Sequence, residues 1–226
     1  MSKVSCIIAA YNEAPRIGKV LSAVLDCNLV DEVIVVDDGS IDNTAEIIQS
    51  FPQAKLVRHE KNKGKNQAIL TGAAAAQHDL IFLLDADLIN VTKENITKII
   101  EPILSDQVDI IISLRNNAPW IDHQMGIDFI SGERVLPKRL ILENSVAIAK
   151  LQSYGLEVFL NRLIIKNNYR IKVVRWDNVH SPWKHEKRGV LSGISGELLM
   201  YGDMLRTISV FEIVYQIVKM SKLTIK

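Results

Sequence analysis

The sequence predicts an α/β fold: a mostly parallel sheet with helices on both faces, followed by a C-terminal helix. Three observations predict it. Short apolar runs alternate with helical patterns through the first 115 residues, the order of strands joined by crossover helices. The runs are near-continuously apolar, as strands covered on both faces are. Carboxylate-rich clusters follow several runs, and open α/β sheets bind ligands outside the carboxyl ends of their strands.

The elements follow in order. Residues 4–10 form an apolar run and read as a buried strand. Pro15 then opens a helix, where Pro is tolerated in the first turn, and Ile17, Val20, Leu21, Val24 and Leu25 give it one apolar face. Residues 32–36 are a β-branched run that ends in Asp37-Asp38-Gly39-Ser40. A short helix is expected over 44–51, a strand over 55–58 and an Ala-rich helix over 67–76. Residues 80–84 read as a buried strand ending in Asp85-Ala86-Asp87. A helix over 92–104 and a strand over 109–114 complete this half. Beyond it, 116–134 reads as loop and short strand. Helices are expected over 137–150 and 156–166, a strand over 171–176, a polar basic loop over 180–189, and mostly helix over 195–226.

Composition narrows the function. The chain has 226 residues and is 48% hydrophobic, enough for a real core. With 27 Lys+Arg against 26 Asp+Glu its net charge is +1, which argues against a dedicated nucleic-acid binder. Cys6 and Cys27 are too few for a disulfide scaffold and read as buried, reduced thiols. Met1-Ser2-Lys3 runs straight into an apolar strand with no cleavage-site pattern. No stretch reaches the roughly 18 apolar residues of a spanning helix. The expectation is a cytoplasmic protein, free or peripheral on the cytoplasmic membrane face.

Chemistry concentrates at the strand ends. Asp85 and Asp87, two residues apart, can share one hard divalent cation that bridges the phosphates of a nucleotide diphosphate. A solvated turn is the bland alternative for such a triplet. A carboxylate at Asp37-Asp38 can accept hydrogen bonds from a nucleobase or ribose, and Gly39 permits a sharp turn. Lys65, after Gly64, lies at a helix N-terminus suited to an anion; a solvated charged loop is the alternative. Neither a dinucleotide-binding glycine fingerprint nor a P-loop occurs, and no zinc spacing is present.

Four segments carry a resemblance: Ile7-Ile8-Ala9-Ala10-Tyr11-Asn12-Glu13, Val35-Val36-Asp37-Asp38-Gly39-Ser40-Ile41-Asp42-Asn43-Thr44, Asn62-Lys63-Gly64-Lys65-Asn66-Gln67-Ala68 and Leu83-Leu84-Asp85-Ala86-Asp87-Leu88. In this order and spacing the chain resembles family 2 glycosyltransferases, which have the Rossmann-like GT-A fold. Ala10 departs from the family's usual Pro. The resemblance implies a UDP- or GDP-sugar donor and an Mg²⁺ or Mn²⁺ ion. It implies that Ala9, Tyr11, Glu13, Asp38, Lys65, Asp85 and Ala86 bind the donor. Asp87, with Asp85 and His180, would hold the metal. Asp87, Lys65 and Glu157 would serve catalysis, Glu157 as the candidate base, with donor or acceptor binding as its alternative role.

The second half resembles acceptor regions of members that act on phosphate-bearing or lipid-phosphate acceptors. Ile130-Ser131-Gly132-Glu133-Arg134-Val135-Leu136 matches the segment that shapes the acceptor site, and Tyr154-Gly155-Leu156-Glu157 a helix start. At that start many members carry Glu-Asp; here Val158 follows Glu157. Arg115, Arg134, Lys184, Lys187 and Arg188 are candidate phosphate contacts. The expected organisation is a catalytic domain over 1–196, its donor half 1–115 and its acceptor half 116–196, then a helical segment over 197–226. Apolar positions from Met204 to Val218, with Lys219, Lys222 and Lys226, suit a membrane surface, a homodimer interface or the chain's own domain. The competing functions are a nucleotidyltransferase of the same fold and a non-catalytic sugar-nucleotide binder.

Overall fold

The apolar run at residues 4–10 forms β1 (Val4–Ala10), an interior strand of a seven-stranded sheet. The computed structural model describes residues 2–118, 120–151, 155–182 and 208–225. β2 (Glu32–Asp37) and β4 (Leu80–Asp85) flank β1, both parallel to it, and β3 (Ala54–Arg58) continues the sheet beyond β2. On the other side β6 (Arg134–Pro137) runs antiparallel between β4 and β5 (Ile110–Arg115). β7 (Ile171–Trp176) pairs parallel with β5. The order is β3-β2-β1-β4-β6-β5-β7, so the sheet is mostly parallel with one reversed strand.

Alternate strand residues face opposite ways, and the helices divide accordingly. Cys6, Ile8, Phe82 and Leu84 share a core with α1 (Ile17–Leu25), α2 (Thr44–Gln49) and α4 (Lys93–Leu104). Ile7, Ile81 and Leu83 share the other with α3 (Lys65–Ala75) and α8 (Gly155–Lys166). Fully burying a large aliphatic or Phe side chain stabilises by roughly 1.5–3 kcal/mol, and dozens are buried here. Small side chains let α3 ride close on β1: a Cβ at Gly72 would lie 2.4 Å from Ile7 Cγ2. Thr92 and Asn95 cap α4 reciprocally. Both cysteines are buried and unpaired.

The second half departs from expectation in two places. Residues 137–150 are not one helix. Val135 and Leu136 are wholly buried in β6, and Pro137 ends that strand opposite Leu80, a position where a missing N–H is tolerated. Two short helices follow, α6 (Arg139–Leu142) and α7 (Ser145–Ile148), broken at Asn144, whose amide donates back to the Leu140 carbonyl. The stretch expected to be loop also contains a short helix, α5 (Trp120–Met125). The last described helix, α9 (Val210–Leu223), is capped by Ser209 and packs on α8. Of the basic loop and the start of the expected C-terminal helix, 183–207 lie outside the described residues.

Candidate active site

The loops after β1 and β2 hold each other through their own polar side chains. Asn12, in the left-handed region at φ 55°, accepts at Oδ1 from the Ile41 N–H, while its own N–H donates to Ser40 Oγ. The Glu13 N–H donates to Thr44 Oγ1, which donates to Asp42. Asp37, fully buried, accepts from the Ser40 N–H and lies 3.0 Å from Arg58. Gly39, at φ 73°, runs against the next loop: a Cβ there would lie 2.5 Å from the Lys61 carbonyl carbon.

Asp38 organises that next loop. Its Oδ1 accepts from the Lys63 N–H at 2.9 Å and meets His59 Nδ1 at 2.6 Å; its Oδ2 accepts from the Gly64 N–H at 2.7 Å. His59 Nε2 in turn meets Thr71 Oγ1 on α3. A carboxylate has about four acceptor sites, so Asp38 spends three on its own protein and keeps limited capacity for a nucleoside. Gly64, at φ 91°, then places Lys65 in the first turn of α3.

Lys65 Nζ lies 2.8 Å from Asp85 Oδ1 and 3.4 Å from Glu157 Oε1. Protein packed around the ammonium would by itself lower its pKa. The Asp85 carboxylate first, and Glu157 second, outweigh this and hold it above its ordinary value. Glu157 is buried in the first turn of α8. Gly132 lies against the ion pair: a Cβ there would come within 2.8 Å of Asp85 Oδ2 and 3.0 Å of Lys65 Nζ.

These elements enclose a cavity of about 300 Å³ at the carboxyl ends of β1, β2 and β4. Ala9, Tyr11, Glu13, Asp38, Lys65, Asp85, Ala86 and Asp87 all line it, with Asn62 and Ala68. Its lining combines the carboxylate residues Asp85 and Asp87 with the cation Lys65 and the half-exposed Tyr11. Among the described residues, no three His, Cys, Asp or Glu side chains gather into a set able to hold a metal alone. Two carboxylates facing one cavity fit a hard divalent cation whose shell is completed by phosphate oxygens and water, the ordinary manner of Mg²⁺.

The remaining candidates fall into three groups. His180 is paired through its backbone with Ile89, two residues beyond Asp87, at 2.9 Å and 3.3 Å. Its ring does not join Asp85 and Asp87 in a three-ligand set. Arg115 and Arg134, expected to meet phosphate, are engaged inside the protein. Arg115 donates to Ser181 Oγ at 2.6 Å and pairs with Asp128 and Glu133. Arg134 is fully buried, its guanidinium donating to the Ser131 and Phe129 carbonyls and to Asn161 Oδ1. The reason is topological: Arg134 opens the inserted strand β6, whose flanks are covered. Tyr154, Lys184, Lys187 and Arg188 lie outside the described residues.

Sequence reasoning missed His59, which follows a strand end with no motif around it. The acceptor-shaping segment includes Gly132, but sequence reasoning gives it no role beside Asp85 and Lys65.

The family model for glycosyl transferase family 2 matches residues 5–129. The chain belongs to this family. Poly-β-1,6-N-acetyl-D-glucosamine synthase of Staphylococcus epidermidis is 39% identical over 90 residues, 38% of this chain and 22% of that protein. UDP-N-acetylglucosamine–dolichyl-phosphate N-acetylglucosaminyltransferase of Methanococcus voltae is 31% identical over 132 residues, covering 50% and 52%. An undecaprenyl-phosphate 4-deoxy-4-formamido-L-arabinose transferase of Pseudomonas aeruginosa is 33% identical over 128 residues, covering 52% and 38%. The chain thus spans about half or less of these relatives. Glucosyl-3-phosphoglycerate synthase of Mycobacterium tuberculosis, solved with Mn²⁺, uridine diphosphate and glucosyl-3-phosphoglycerate, shares the fold. Its TM-score is 0.68 at 21% identity, over 91% of this chain and 80% of that one.

Proposed function

We propose that this family 2 member transfers a sugar from a UDP- or GDP-sugar to an acceptor hydroxyl or phosphate. One observation carries the reading: Tyr11, Asp38, Lys65, Asp85 and Asp87 line a single cavity at the strand ends, where this sheet type binds ligands. The nucleoside would lie along Ala9, Tyr11 and Glu13, beside Asp38. A bound Mg²⁺ or Mn²⁺, held by Asp87 and Asp85 with donor phosphate oxygens, would stabilise charge on the departing diphosphate. Lys65, kept protonated by Asp85 and Glu157, sets a fixed positive charge beside that diphosphate. Glu157, shielded from water at the start of α8, is the group we assign to take the proton of a hydroxyl acceptor; a phosphate acceptor, already ionised, needs no such base.

Lipid phosphates are the acceptor class we favour. The Methanococcus and Pseudomonas relatives, which carry dolichyl and undecaprenyl phosphate in their names, support it.

The test is nucleoside diphosphate release from UDP-glucose, UDP-N-acetylglucosamine and GDP-mannose with Mn²⁺, with and without undecaprenyl phosphate. Release of UDP or GDP, faster with acceptor and lost on chelation, is expected. Asp87→Ala should lower it about 100-fold, the usual cost of losing one charge-stabilising group. Release of sugar 1-phosphate instead would show nucleotidyl transfer. Donor binding without release across an acceptor panel would show a binding protein, and full activity in chelator would remove the metal from the mechanism.

A further inference from the structure

Helix α9 carries apolar side chains both on its buried face and on its outer surface. Ile213, Ile217 and Met220 belong to the core shared with α8. Val210, Phe211, Val214, Tyr215 and Val218 point outward and are 59%, 88%, 55%, 48% and 40% exposed. Positions 210, 214 and 218 recur every four residues, with 211 and 215 beside them, so the five form one stripe along the helix. The outer side of a surface helix is normally polar. A contiguous apolar stripe in its place marks an interaction site.

The charges around the stripe indicate what covers it. Lys219 and Lys222 lie at its C-terminal edge, both exposed, and Lys219 Nζ sits 5.8 Å from the centre of the Tyr215 ring. The carboxylate on this helix, Glu212, is occupied: Arg162 of α8 pairs with it at 2.9 Å, and the Gln216 amide donates to it. The rim is therefore cationic. An apolar stripe with aromatic members and lysines at its edge is the composition of a helix lying in the headgroup region of an anionic bilayer. From Val210 to Val218 the stripe is about 12 Å long. That is narrow for a stable dimer, which needs roughly 800 Å² from each partner. Among the described residues no helix is long and apolar enough to cross a membrane, so the contact is with a surface.

We infer that the outer face of α9 docks on an anionic lipid surface, with Phe211 and its apolar neighbours at the acyl-chain boundary and Lys219 and Lys222 at the lipid phosphates. Ser209 caps the helix from the protein's own chain, so α9 exists before it meets lipid. The inference stands independently of the transfer reaction, because it rests on this face alone.

Flotation of the purified chain with phosphatidylcholine vesicles, and with equimolar phosphatidylcholine and phosphatidylglycerol vesicles, tests it. Binding to the anionic vesicles alone, weakened by salt, is expected. The exposed pair Phe211→Asp and Val214→Asp should lower that binding at least ten-fold while leaving the thermal midpoint unchanged. Lys219→Glu with Lys222→Glu should abolish the preference for anionic lipid. Failure of the wild type to bind anionic vesicles would overturn the proposal. So would equal binding by the Phe211/Val214 variant, or a dimer in sedimentation that this variant dissociates. Nucleoside diphosphate release with soluble acceptors, measured in parallel without vesicles, keeps this outcome separate from that of the transfer reaction.

Discussion

Gly132 illustrates how one residue sets the site. An added Cβ there meets both carboxylate oxygens of Asp85 and the Lys65 ammonium within 3.0 Å. Gly132→Ala must therefore push that ion pair aside. We expect it to weaken donor binding about ten-fold or more while costing roughly 1–3 kcal/mol of stability, the usual range for overpacking. Calorimetric titration with UDP and Mn²⁺, alongside urea denaturation, checks both. Asp122 is a second informative residue. It is fully buried, and neither oxygen has a hydrogen-bond partner among the described residues. Burial first, and repulsion from Asp128 second, push its pKa up to about 7, against the pull of Arg115. In the unfolded chain it titrates near about 4. Between those values the folded state holds the extra proton, so stability falls as pH rises from about 4 to about 7. Asp122→Asn should exceed the wild type in thermal midpoint by a margin that grows from pH 4 to pH 8. An equal gap at both pH values would refute this origin.

At the scale of elements, polar side chains lock α8, α9 and β6 together. Arg134 Nη1 donates to Asn161 Oδ1 at 2.6 Å, and Asn161 Nδ2 donates to the Phe129 carbonyl and to Gln216 Oε1. Gln216 donates to the Val158 carbonyl. All three side chains are fully buried. Burial lowers the Arg134 pKa, and Glu157 and Asp128 partly oppose this. Asn161→Leu fills similar space but leaves a buried guanidinium N–H without its acceptor. It should cost about 2–4 kcal/mol in urea denaturation. A cost near zero would show that Arg134 finds another acceptor. Two element-level expectations failed, the loop over residues 120–125 and the single helix over 137–150. Pairing of Val135 and Leu136 between β4 and β5 is a non-local event that local pattern does not register.

For the whole molecule, the insertion of β6 matters most. β4 and β5 do not touch as neighbours; β6 separates them and arrives later in the chain. A fragment of residues 1–115 would therefore leave the β4 edge unpaired, with β5 lacking both its neighbours. Exposed edges of this kind promote aggregation. We expect such a fragment to be insoluble or to lack a cooperative thermal transition, whereas the full chain melts as one unit. A soluble, cooperatively melting fragment would show that residues 1–115 fold alone.

The sequence by itself determined the parallel half of the sheet and the membership of the cavity. Both are written locally. Apolar runs mark β1, β2 and β4 because each is covered on both faces, and the motif residues follow directly at their carboxyl ends. Asp38, Lys65, Asp85 and Asp87 each stand in a short contiguous motif. Tertiary structure alone decided the uses of side chains whose partners are far away in the chain. Arg115 and Arg134 looked like phosphate ligands and are internal ties, because β6 carries Arg134 into the core and Asp128 and Glu133 close on Arg115. His59 and Gly132 act only through Asp38 and Asp85, across 21 and 47 residues of chain. The double-sided apolarity of α9 showed in its composition, but which face the protein buries was settled only by its packing on α8. Local pattern records which residues want to leave water; it does not record which of them find room inside.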